Sequence, residues 1–225
     1  MAYLEKGKKI DYNIARRNKP SGSKMKIGGF MKLFFRRNSY SMIKMFVNQF
    51  AISIFGLVLA LATTAADNSV LTMVVSIFAI CFYLFLIYTM TWEIGAKDRI
   101  SVDIGKLAYR PHTGLLIALF ANIPNILIAI LYAIATPFSD THAWAGNLCA
   151  VMMLVSGLLE GMYRGLLSVI YLPGTETSII MAWWSYFLIV LPALVTAWVA
   201  YFAGFKNFRM LAPYFTKKPH QGNQK

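Results

Sequence analysis

Acidic residues are scarce in this chain: nine Asp and Glu stand against 22 Lys and Arg, a formal charge of +13 over 225 residues. Charge of either sign is thin at 14%, whereas 58% of residues are hydrophobic and 15% aromatic. Soluble globular chains carry about 25% charged and about 45–50% apolar residues. The composition therefore excludes an ordinary water-soluble domain and predicts lipid as the solvent. Cysteine is nearly missing. Cys81 and Cys149 stand in no metal-ligand spacing and are expected to pack as small apolar side chains. His112, His142 and His220 form no H-E-x-x-H or similar cluster. The chain also lacks a G-x-x-x-x-G-K-[ST] phosphate loop, a G-x-G-x-x-G dinucleotide turn and a G-x-S-x-G nucleophile elbow. No catalytic, cofactor-binding or metal-ligating residue is expected, and the chain does not read as an enzyme.

What is abundant is long uncharged sequence. A bilayer core of about 30 Å needs about 20 helical residues to cross it. Met45 to Ala66 and Asn68 to Trp92 meet that length without a charge, as do Leu115 to Phe138 and Ile179 to Phe205. The last two carry Pro124 and Pro192, which remove an amide donor and predict kinks. Leu148 to Leu172 is long enough but contains Glu160 and Arg164. Its eleven Leu, Ile and Val residues favour insertion by about 3 to 7 kcal/mol, and two central charges oppose it by about 5 to 7. The i, i+4 spacing of Glu160 and Arg164 predicts an ion pair on one helix. Gly157, Gly161 and Gly165 share that side and predict close helix approach. The reading is an interior fourth helix; the alternative is a helix whose charges snorkel outward.

The fold class is thus an all-α, polytopic integral membrane bundle of about five transmembrane helices. Its organisation reads as a basic tail over 1–44, a transmembrane domain over 45–205 and a second basic tail over 206–225. The spans fall at about 45–66, 68–92, 115–138, 148–172 and 179–205. Within the first tail, Phe30, Leu33, Phe34, Phe35 and Met42 alternate with Lys26, Lys32, Arg36, Arg37 and Lys44, as in an amphipathic segment lying on anionic headgroups. The bilayer's anionic headgroups are therefore an expected partner, with a membrane or cytoplasmic protein another. The tail adjoins a span and no nucleic-acid-binding module surrounds it, so nucleic acid is not expected.

Orientation follows from twelve Lys and Arg in the first 44 residues, which predict a cytoplasmic N-terminus by the positive-inside rule. No apolar signal-peptide core is expected near the start. Positive flanks and reduced-looking cysteines suit a bacterial cytoplasmic membrane. The loop from Glu93 to Gly114 agrees, holding Lys97, Arg99, Lys106 and Arg110. Five crossings, the preferred count, place Lys206, Arg209, Lys217, Lys218 and Lys225 on the opposite side, against the rule. Four crossings, with the fourth segment dipping in and returning, would leave Arg164 as the only positive residue not inside. Within the central loop, the order Glu93, Gly95, Ala96, Asp98 is similar to the coupling-loop motif of ABC-importer permeases, but Arg99 replaces its glycine and no function is carried over.

Ionisable and amide groups in hydrocarbon point to function. Asn122, Pro124 and Asn125, then Glu160 and Arg164, then Pro192 fall near the middle of spans three, four and five. Broken helices that turn backbone groups toward a midplane cavity hold solute in many transporters. The sequence therefore suggests a transporter or channel component with a midplane site for a small polar or ionic solute. The alternative is a membrane scaffold or accessory subunit, in which the same residues only hold helices together.

Overall fold

The computed structural model describes residues 27–208, with side chains from Met31 onward. Eight α-helices occur among them. Helix α1 runs Ile27–Ala65 and α2 Ser69–Asp103; α3 covers Thr113–Ala121, and α4 Ile123–Ala135. Helix α5 spans Ala143–Leu159, α6 Gly161–Val169, α7 Ser185–Leu188 and α8 Leu191–Phe205. Strands are absent among the described residues apart from one isolated bridge between Tyr171 and Ser178. The all-α membrane bundle expected from composition is what the chain forms.

Three helical stretches are long and apolar enough to cross a bilayer, and two bent pairs supply the other apolar segments. The α3–α4 pair bends by 57° and the α5–α6 pair by 115°. The first bend falls at Asn122, where Pro124 occupies the first turn of α4 and has no amide to continue the ladder. The second falls at Glu160, whose backbone (φ −133°, ψ 27°) leaves the helical region.

Three expectations about helix extent need correcting. The basic amphipathic segment is not a separate surface helix from Ile27 onward, since it continues into span one as a single helix of 39 residues, about 58 Å long. Its buried Phe34, Asn38, Met42 and Met45 form one stripe at helical spacing that packs inward, so tertiary contact rather than the headgroups takes that face. Likewise Glu93 to Asp103 is not loop. Helix α2 carries on through it, which leaves a connection of only residues 104–112 and removes any coupling-loop geometry. In span five, residues 179–184 form a 3-10 turn and bend, so the apolar helix begins at Ser185.

Helix-to-helix contacts orient these elements. At the basic end, Arg37 of α1 pairs with Asp98 of α2, and the Tyr201 hydroxyl of α8 donates to Asp98 Oδ2 at 2.9 Å. Gly204 packs on the Trp92 carbonyl, Gly95 on the backbone of Tyr201 and Phe205, and Gly114 on Tyr201. The start of α3 and the finish of α8 therefore lie beside the Arg37–Asp98 pair. At the opposite end, marked by the Asp67 turn, Gly165 of α6 packs on Thr72, Ser76 and Ala60. The Tyr132 hydroxyl donates to the Met181 carbonyl at 3.2 Å, which ties the end of α4 to the segment that follows α6.

Helix α5 thus descends from the Asp67 end to the level of Gln49 and Ser53, and α6 climbs back. The expectation of one continuous fourth helix is overturned. The chain leaves the bundle after α8 at the end where α1 enters it, and the apolar segments long enough to cross a bilayer number three, or five when each bent pair counts as one span. Glycines make this packing possible: a methyl on Gly56 would overlap the backbone of Met162, and one on Gly161 the Ser53 carbonyl.

Reporters fused after Lys225 and inserted between Lys106 and Tyr109 are expected to show the same sidedness; opposite sides would overturn the returning path of α5–α6. Gly204→Ala is expected to destabilise the detergent-solubilised protein by about 1–3 kcal/mol, because the methyl meets rigid backbone. Gly146→Ala, whose methyl meets only the Ser139 carbonyl at 3.3 Å, serves as the near-neutral comparison in the same thermal unfolding assay.

Candidate functional site

Backbone that leaves the helix inside a bilayer is tolerated only where protein or a water-lined cavity satisfies its polar groups. The break between α5 and α6 meets that requirement through α1. The Gly161 amide donates to Ser53 Oγ at 2.5 Å, and Gln49 Nε2 donates to the Leu159 carbonyl at 3.5 Å. Gln49 and Ser53 are one helical turn apart, both buried, so the two side chains address the two sides of the break from one face. Ser53 is eight residues, about 12 Å, inside Met45, where the uncharged stretch of α1 starts. The break therefore sits near the middle of the apolar layer.

Glu160 occupies the break itself and is 6% exposed, its backbone amide donating to the Ser156 carbonyl at 2.7 Å. Arg164 is half-buried one turn into α6. The expected Glu160–Arg164 ion pair is not formed: no such pair lies within 4 Å among the described residues. The reason is geometric, since i, i+4 side chains meet only on an uninterrupted helix and Glu160 is where this one stops. Arg164 instead folds over Gly157, where a methyl would come within 2.7 Å of its Nη1. The three expected packing glycines therefore do not form one stripe. Gly161 and Gly165 face α1 and α2, while Gly157 makes room for the guanidinium.

A cavity of about 10 Å³ lies against these groups, enough for one water molecule. Ser156, Glu160, Arg164 and Tyr186 give it a polar side, and Leu167 and Ile189 close it with apolar ones. Tyr83 and Tyr163 stack edge to face at 6.5 Å. The Tyr163 hydroxyl and Gln49 Oε1 are buried without a hydrogen-bond partner.

The other sequence-derived positions lie elsewhere. Asn122 Nδ2 donates to the Ala118 carbonyl at 2.9 Å, and Asn125 Nδ2 to Asn122 Oδ1 at 3.0 Å. These bonds repair the α3–α4 bend locally, and neither asparagine lines the Glu160 cavity. Pro192 stands in the first turn of α8, three residues beyond Ile189 of the cavity wall. Similar depth along the sequence thus did not bring the three clusters together. Gln49, Ser53 and Tyr186 were missed by attention to charge alone; the signal for the first two was a polar i, i+4 pair inside an otherwise apolar span. Among the described residues no group of three His, Cys, Asp or Glu could hold a metal ion.

Ser53→Ala removes the partner of the Gly161 amide and is expected to cost about 1–3 kcal/mol, the penalty for stranding a buried donor. Ser53→Thr, which keeps the hydroxyl, is the matched control, both read as thermal stability of the purified protein. No family model matches the chain, and neither a curated protein nor a solved structure matches it.

Proposed function

We propose that this membrane protein is a transporter or channel component that takes a small polar or ionic solute at the α5–α6 break. The observation that carries the reading is the break itself. A pair of half-helices enters the apolar layer, stops at a buried carboxylate and returns, with a guanidinium and a polar cavity beside it. Such interrupted helices present groups that a continuous helix would keep bonded to itself. The room for one water bounds the occupant in this conformation to a water molecule or a single small ion. A larger solute requires α6 or the 170–184 segment above it to move. In this reading the N-terminus faces the cytoplasm, with the basic flanks holding that orientation.

A second reading, an accessory subunit of a larger membrane complex, draws on the exposed flanks of the two longest helices. Only 28% of the apolar window of α1, and the same share of α2, is buried within the chain.

Proteoliposomes carrying the purified protein, loaded with pH- and ion-sensitive dyes under Na⁺, K⁺, Cl⁻ and H⁺ gradients, separate the two. Transport predicts a flux that Glu160→Gln and Arg164→Gln each lower at least about tenfold, the scale set by losing one bond to a charged group, with insertion and yield unchanged. Absence of flux in the wild type, or loss of protein rather than flux in both variants, sinks the transport reading.

A further inference from the structure

The cytoplasmic-type charges of α1 and α2 enclose a second and larger feature, independent of the Glu160 site. Lys44 and Glu93 mark the depth at which the uncharged stretches of α1 and α2 end, and Arg37 lies seven residues, about 10 Å, further out. Over this distance the two helices border a groove of about 360 Å³. Its depth is that of lipid headgroups, since it begins where the apolar helix surface stops.

Inside the groove the charges are unevenly matched. Arg37 is paired with Asp98, and Lys97 Nζ with Glu93 Oε1 at 2.6 Å. Lys97, chiefly through that hydrogen bond, holds the Glu93 carboxyl below its usual range, and Lys44 adds a weaker pull. Lys44 has no carboxylate within 4 Å among the described residues, so the groove carries one positive charge in excess. Ser41 adds a hydroxyl beside it. Met90 and Ile94 line the groove without polar atoms, and Met90 stands at its membrane-facing end.

We propose that this groove is a binding site for the phosphodiester headgroup of an anionic phospholipid. A phosphodiester carries one negative charge and two free acceptor oxygens, which Lys44 and Ser41 match. A free phosphate shares that chemistry but has nothing to lay along Met90 and Ile94, whereas a lipid's acyl chains leave the headgroup in that direction. The guanidinium of Arg37 and the ammonium of Lys97, though paired, keep donors that remain available to an acceptor on the open side.

Native mass spectrometry of the full-length protein in detergent, titrated with phosphatidylglycerol, phosphatidylcholine or inorganic phosphate, tests the site. The expected result is retention of phosphatidylglycerol over phosphatidylcholine, with inorganic phosphate at millimolar level not displacing it. Lys44→Gln is expected to weaken phosphatidylglycerol binding about fivefold, the scale of one basic residue at a membrane surface, and Lys44→Arg to retain it. Ser41→Trp, which fills the groove without changing charge, is expected to abolish the preference. Lys106→Gln, a charge removed from the 104–112 connection, is expected to leave it unchanged. Equal weakening by Lys44→Gln and Lys106→Gln would reduce the effect to diffuse surface charge and overturn the site. So would displacement by inorganic phosphate, or no headgroup preference in the wild type. None of these outcomes bears on flux through the Glu160 region.

Discussion

A helix that stops in hydrocarbon must have its loose ends bonded, and the architecture answers to that requirement. The peptide groups on either side of Glu160 lie within the apolar layer, where each unsatisfied one costs several kcal/mol. The Ser53 hydroxyl and Gln49 amide supply the missing partners from α1. That choice places α6 against α1 at backbone distance, which only glycine permits at positions 56 and 161. The tight crossing then directs α6 toward Ser76 and Thr72 instead of onward through the membrane. One local bonding problem therefore decides the path of everything that follows it.

The second half of the bundle depends on the same turn. Because α6 ends at the Asp67 end, the chain must descend once more, and α8 does so along α2 through Gly95 and Gly204. At the foot of that descent, Tyr201 meets the carboxylate that Arg37 already holds. Asp98 thus ties α1, α2 and α8 at one end, where water is near enough to lessen the desolvation of its charge. Breaking such a knot leaves a buried ion unpaired, which weighs more than the net worth of the pair. The midplane bonds and the basic-end knot fix the two levels of the bundle, and the helices between them need only apolar packing.

Much of this was legible in the chain. Uncharged runs of bilayer length identify spans one and two because nothing else produces 22 to 25 such residues in a row. Pro124 announced the α3–α4 bend for the reason prolines always do. The Glu160 break was harder, since the sequence around it, GLLEGMYRGLL, contains no proline and its i, i+4 charges suit a helix. Charge placement did point to a bent fourth segment, since a returning path keeps the positive residues together. The i, i+4 spacing of Glu160 and Arg164 pointed to a continuous helix instead, and local propensity yields there to tertiary partners such as Ser53. The knot at Asp98 was invisible for a different reason, its members being 61 and 103 residues apart.

The separation of Glu160 from Arg164 bears on what the break is for. If these residues served only to hold helices together, pairing them would lower the cost of burying both charges, and one more turn of helix would have done so. The chain instead ends the helix between them and gives Arg164 a bare glycine to lie across, while Glu160 is buried at the break. A carboxyl and a guanidinium held apart beside a small void would both be open to one occupant, whereas a paired couple would already be satisfied. A protein that needed only a scaffold at this depth could have replaced the pair with packed apolar side chains at no loss of stability. That these residues stay apart, with α1 bonding the backbone around them, is the feature on which the proposal of recognition at the break rests.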